Sequence, residues 1–138
     1  MAALRPGPTG SVKAVVALYT PSDLASLART SNLIPDSVHQ AVRGSQFGDL
    51  LMAGLTQISP INWVRADAPP FLLIHGTADG IVPFAQSQAM CEKMRGAGAA
   101  CELYPVEGGT HGMRSWENAG LTAYKQRMVL WLQQALGR

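Results

Sequence analysis

Asp79 and His111 are the two side chains of this sequence whose types and surroundings could carry hydrolytic chemistry together. Asp79 stands in Phe71-Leu72-Leu73-Ile74-His75-Gly76-Thr77-Ala78-Asp79-Gly80-Ile81-Val82-Pro83, and His111 in Pro105-Val106-Glu107-Gly108-Gly109-Thr110-His111-Gly112. An imidazole acts as a general base when a carboxylate on its other nitrogen fixes the tautomer and stabilises the imidazolium formed on proton uptake. Serine, then acid, then histidine is one chain order in which such triads occur, with the serine in a G-x-S-x-G turn. The 138 residues contain no G-x-S-x-G. The sequence thus offers an acid and a base without a recognisable nucleophile.

Each of the two also has an ordinary explanation. Thr-Ala-Asp-Gly is common turn chemistry, and a histidine among glycines is common in loops. The surrounding elements decide between these readings. Phe71–His75 is a continuous apolar run introduced by Pro69-Pro70, the pattern of a parallel strand covered on both faces. Cys101–Val106 reads as the next strand, with Pro105 pushing it toward a sheet edge. Asp79 lies four residues past the first run and His111 five past the second. Open α/β sheets bind ligands beyond the carboxyl ends of their strands, so the two residues are expected on one rim. The glycines around His111 let its loop fold back toward that rim.

The rest of the chain supplies the scaffold. Ser11–Tyr19 reads as a buried strand stopped by Thr20-Pro21, and Ser22-Asp23 offers helix caps before Leu24. Arg29 to Pro60 reads as a helical excursion over one end of the sheet, with Gly44, Gly48 and Gly54 breaking any long helix. Pro83 suits the first residue of a helix with Ser87, Met90, Cys91 and Met94 on one face, ending at Gly96 or Gly98. A last helix, about Ala119 to Leu136, carries Leu121, Tyr124, Met128, Trp131, Leu132 and Ala135 as an apolar stripe. Strands alternating with helices predict a parallel α/β sheet with right-handed crossovers.

Composition narrows the function classes. Apolar residues make up 47% and charged residues 14%, with a formal charge of +2 spread thinly. No Lys/Arg run suggests a nucleic-acid or anionic-membrane footprint. The apolar runs are far too short to cross a bilayer, and Met1–Pro8 lacks the apolar region of a signal peptide. Cys91 and Cys101 have no histidine pair at zinc spacing; they read as two small buried residues, with a helix-to-strand disulfide geometrically open.

Among other candidates, Asp23 follows the first strand and is the lesser choice of acid. His75 ends its strand and reads as a loop anchor, and His39 as a surface residue. Ser11, Ser22, Ser45, Ser59 and Ser115 lack the elbow context of a nucleophile. Trp63, Trp116 and Met113 fit either a substrate pocket or the core.

Ile58-Ser59-Pro60-Ile61-Asn62-Trp63-Val64, the H-G-T-x-D-x-x-V-P segment from His75 to Pro83, and Gln86-Ser87 closely resemble the α/β-hydrolase superfamily. The nearest branch resembles bacterial esterases related to dienelactone hydrolase and prolyl oligopeptidase, including feruloyl and acetyl-xylan esterase-like proteins. The resemblance runs from about residue 11 to 136. It implies a partial α/β-hydrolase fold of about three parallel strands flanked by helices, with residues 1–138 as the C-terminal portion of one domain. It implies Asp79 as triad acid, His111 as triad base, no metal or organic cofactor, and a small ester as the complete protein's substrate. It further implies that Met1 is internal and that the serine and the oxyanion-hole donors lie upstream. The chain alone is then expected to be inactive. A prolyl-oligopeptidase-like peptidase portion and a non-catalytic binding protein are the alternatives. The strand Val12–Tyr19 would lack its outer partner, and an unpaired apolar edge invites self-association unless Met1–Gly10 covers it.

Overall fold

Phe71–Gly76 forms the middle strand of a three-stranded parallel sheet, buried along its whole length. This computed structural model describes Leu4 and residues 12–137. In chain order the elements are β1 (Val15–Leu18), α1 (Leu24–Thr30), α2 (Asp36–Val42), α3 (Gln46–Ile58), β2 (Phe71–Gly76), α4 (Ala85–Gly96), β3 (Cys101–Val106), α5 (Met113–Asn118) and α6 (Ala123–Ala135). Val15 pairs with Phe71 on one side of β2, and Phe71 with Cys101 on the other. Among the described strands, β3 forms one edge, consistent with Pro105, and β1 the other.

Both faces of β2 are covered, which is why its sequence does not alternate. Phe71 and Leu73 pack with Met90, Cys91 and Met94 of α4, and Leu4 joins this side. Leu72 and Ile74 pack with Val106, Trp116 of α5, and Tyr124 and Trp131 of α6. Burying each such side chain is worth roughly 1.5–3 kcal/mol. The apolar stripe expected on the last helix faces this second cluster in full.

Several boundaries differ from the sequence reading. The first strand is shorter than Ser11–Tyr19, and Ser11 and most of Met1–Gly10 lie outside the described residues. Helix α4 begins at Ala85, not at Pro83. The cause is local: the backbone of Val82 is held at both ends, its N–H by Asp79 and its carbonyl by His75, so the chain straightens only afterwards. Its C-terminus closes as a Schellman motif, with the Ala99 N–H on Met94 O and the Gly98 N–H on Arg95 O. The excursion is helical, but α3 runs through Gly48 and Gly54. Only Gly44, with φ +74, separates two helices. Helices α1–α3 pack chiefly on one another instead of on the sheet. The last helix starts at Ala123, preceded by the short α5 that the sequence reading lacked. Cys91 and Cys101 are not two free thiols: they form a disulfide, Cα–Cα 5.4 Å, linking α4 to β3.

Candidate active site

The ends of β2 and β3 are interlocked by backbone contacts before any catalytic group is considered. The N–H of Thr77 donates to Val106 O, and that of Ala78 to Gly109 O, both at 3.0 Å. Thr77 Oγ1 accepts from the Gly108 N–H at 2.9 Å. The loops approach so closely that a Cβ on Gly76 would lie 2.1 Å from Gly109 O. Only glycine allows this crossing. The two loops are thereby pinned into one rim.

On that rim Asp79 and His111 meet. His111 Nδ1 lies 2.7 Å from Asp79 Oδ2. The carboxylate can only accept, so Nδ1 carries the hydrogen, and in the neutral ring Nε2 keeps its lone pair. Among the described residues Nε2 has no hydrogen-bond partner, and the His111 side chain is about a quarter exposed, 28%. Asp79 is buried. Its Oδ1 accepts the N–H groups of Ile81 and Val82, each at 2.9 Å. The turn role and the pairing role therefore coexist in one side chain. Burial pushes the Asp79 carboxyl up, but the Val82 N–H, the His111 ring, the Ile81 N–H and the charge of His111 outweigh it, holding the group below the usual carboxylate range.

His75 braces the acid from below. Fully buried, it donates Nε2–H to Val82 O at 2.8 Å, and the same nitrogen lies 3.3 Å from Asp79 Oδ2. Its Nδ1 accepts from Ser87 Oγ at 2.6 Å. It anchors the Asp79 loop, as its strand-end position suggested.

The remaining candidates fall elsewhere. Asp23 caps α1, its Oδ1 accepting from the Ser26 N–H at 2.9 Å, and makes no bond to His111. Ser22 is buried, with Oγ donating to Gln86 O at 2.7 Å. Gln86 Oε1 accepts the N–H groups of Ser22 and Asp23, tying α4 to the turn after β1. Ser59 is buried and takes the Leu24 N–H, and Ser45 caps α3. Ser115 Oγ donates to Gly112 O. None of these four hydroxyls bonds the His111 ring, and Ser11 lies outside the described residues. His39 is half-buried against Ser31 O instead of free at the surface. Trp116 belongs to the core, whereas Trp63 and Met113 are exposed.

Sequence reasoning missed one neighbour. Tyr19, at the end of β1, places its ring edge-on to His111 at 4.8 Å and to Trp116 at 5.5 Å. It is the one non-glycine residue among those described with positive φ, +40, a conformation costing about 1–2 kcal/mol. A cleft of about 260 Å³ lies among α1–α3, and neither Asp79 nor His111 lines it.

Three parallel strands with an Asp–His pair beyond their carboxyl ends define this chain as part of an α/β-hydrolase, and the solved structures it superposes on are esterases of that fold. The BD-FAE family profile matches residues 5–94, more than half of the sequence, and the chain belongs to that family. Esterase LipQ of Mycobacterium tuberculosis is 35% identical over 106 residues, covering 74% of this chain and 25% of LipQ. A truncated form of a carbohydrate esterase from gut microbiota superposes with a TM-score of 0.62 at 28% identity, covering 91% of this chain and 44% of that one. The Thermogutta terrifontis esterase Est2 shares the fold, with a TM-score of 0.63 at 24% identity, covering 96% and 47%. The chain thus spans about a quarter of the curated relative and less than half of either structure.

Proposed function

We propose that this chain supplies the acid and base of a Ser-Asp-His triad in a carboxylic-ester hydrolase, with the serine on a segment outside its 138 residues. The observation that carries the reading is the 2.7 Å contact between Asp79 and His111 Nδ1, with Nε2 left unpartnered. In the complete protein Nε2 takes the serine proton as the hydroxyl attacks the ester carbonyl, and returns it to the leaving alcohol. It then takes a proton from water, which attacks the acyl-enzyme, and hands it back to the serine. Asp79 stays ionised throughout, held so by its three donors, and stabilises the imidazolium. Short acyl esters, or acetyl and feruloyl esters of plant polysaccharide, are the proposed substrates; the likeness to a carbohydrate esterase supports this class. The outer edge of β1, bonded to β2 alone among the described residues, is proposed to pair with a preceding strand, or with a second copy when that strand is missing.

The test is direct. Loss of a triad nucleophile removes a factor on the order of 10⁶ in rate. The 138-residue chain should therefore show no fluorophosphonate labelling and no hydrolysis of p-nitrophenyl acetate above buffer. The reading frame upstream of Met1 should encode G-x-S-x-G within about ten residues. Stoichiometric labelling of the chain itself would mean one of its own serines is activated and would overturn the proposal. An in-frame stop just before Met1 would favour the binding-protein reading instead.

A further inference from the structure

The geometry points to Tyr19 as the positioning residue that sets the ring plane of His111, a role that rests on the Asp–His reading above. The argument begins with strand alternation. Side chains of β1 take turns across the sheet: Val15 and Ala17 pack with the α4 cluster, whereas Ala14, Val16 and Leu18 pack with the Trp116–Tyr124 cluster. Tyr19 is next in turn for the α4 side. It packs instead with Leu18's cluster. Its φ of +40 breaks the alternation. The ladder still holds there, because the Tyr19 N–H donates to Ile74 O at 2.8 Å. A conformation rare for a non-glycine residue is thus maintained at the strand end nearest the Asp–His pair, and its consequence is to bring the ring against His111.

His111 needs such a contact. Its bond to Asp79 fixes one nitrogen but leaves the ring free to turn about that bond. The loop backbone, pinned to the end of β2 through Gly108 and Gly109, places the Cα of His111 but does not itself set the rotation of the ring. Tyr19 supplies a second point of contact, edge-on at 64°. Behind Tyr19 stands Trp116, itself packed edge-on against Tyr124. The Trp116 indole N–H donates to Thr110 O, one residue before the histidine. The circuit His111–Tyr19–Trp116–Thr110 closes on itself, and the tyrosine ring is the wedge within it. The role belongs to the ring and not to the hydroxyl.

Proton NMR of the chain tests this without any serine or ester. Wild type should show cross-relaxation between the Tyr19 and His111 ring protons. It should also show a far-downfield Nδ1–H resonance that Asp79→Asn removes. Tyr19→Phe should retain that resonance. Tyr19→Asn, which tolerates positive φ but lacks the ring, should lose it to exchange while the methyl shifts of Leu72 and Ile74 stay dispersed. A folded Tyr19→Asn variant that keeps the resonance, or a Tyr19→Phe variant that loses it, would overturn the assignment. Should Tyr19→Asn fail to fold, absence of the wild-type ring-to-ring cross-peak overturns it alone. An inactive complete protein would sink the esterase reading while leaving these results unchanged.

Discussion

The β2–β3 rim and the α1–α3 excursion leave the same sheet by short turns, yet they are built on opposite terms. In the rim, backbone meets backbone: β2 is buried throughout, and Gly76 touches Gly109 with no room for a methyl group. In the excursion, large apolar side chains face solvent, with Leu33 and Phe47 68% exposed and Leu50 73%. Gln86 of α4 ties it to the rest through the N–H groups of Ser22 and Asp23, whereas the Leu24 N–H bond to Ser59 joins α1 to the end of α3 within the excursion itself. A rim held by many short contacts can keep an acid and a base aligned; an excursion held by few can vary without disturbing them.

Substitutions can break or sharpen this contrast. Gly76→Ala forces a methyl group into the Gly109 carbonyl and should cost about 3 kcal/mol, the high end for overpacking, as read from the shift in urea midpoint. A loss under about 1 kcal/mol would show the rim to be more pliable than described. Gln86→Ala removes the acceptor for two backbone N–H groups and should cost about 2 kcal/mol. Hydrogen exchange should then quicken in α1 and α3 and change little in β2. Equal quickening in both regions would mean that they are one cooperative unit. Gly54→Ala, in an exposed turn of α3 with nothing within 4 Å of the new methyl, should raise stability by about 0.5–1 kcal/mol. Acid probes the rim through its carboxylate. Burial opposes what the donors contribute to Asp79, and the donors prevail. Its folded pKa is depressed, so its contribution is complete above the unfolded value of about 3.9. That contribution is lost as pH falls through the lower folded value. Asp79→Asn should remove this part of the acid limb of a pH–stability curve.

The same contrast governs what could be read from the sequence. The rim was legible because its signals are local and strong: an unbroken apolar run, an edge proline, and Asp79 and His111 just past consecutive strand ends. The excursion was not. Gly48 looked like a helix breaker, but it sits inside α3 where a Cβ would lie 1.9 Å from Val42 O, so packing between helices overrides propensity. Helix α5 is six residues long with only Trp116 buried, too short for a periodic signal. Tyr19 went unnoticed because its orientation depends on a backbone angle that residue type does not announce. The disulfide depends on α4 folding back along β3, which a ten-residue spacing leaves open.

The central claim is that Asp79, and not Asp23, orients His111 for proton transfer. The measurement is kcat for p-nitrophenyl acetate with this chain joined to the serine-bearing segment proposed above to precede it. Asp79→Asn should lower it by a factor on the order of 10⁴, the cost of a wrong tautomer in a triad. Asp23→Asn should stay within about threefold of wild type, because its carboxylate only caps α1. An Asp79→Asn enzyme within about tenfold of wild type, or an Asp23→Asn enzyme that fails while still folded, would contradict the account.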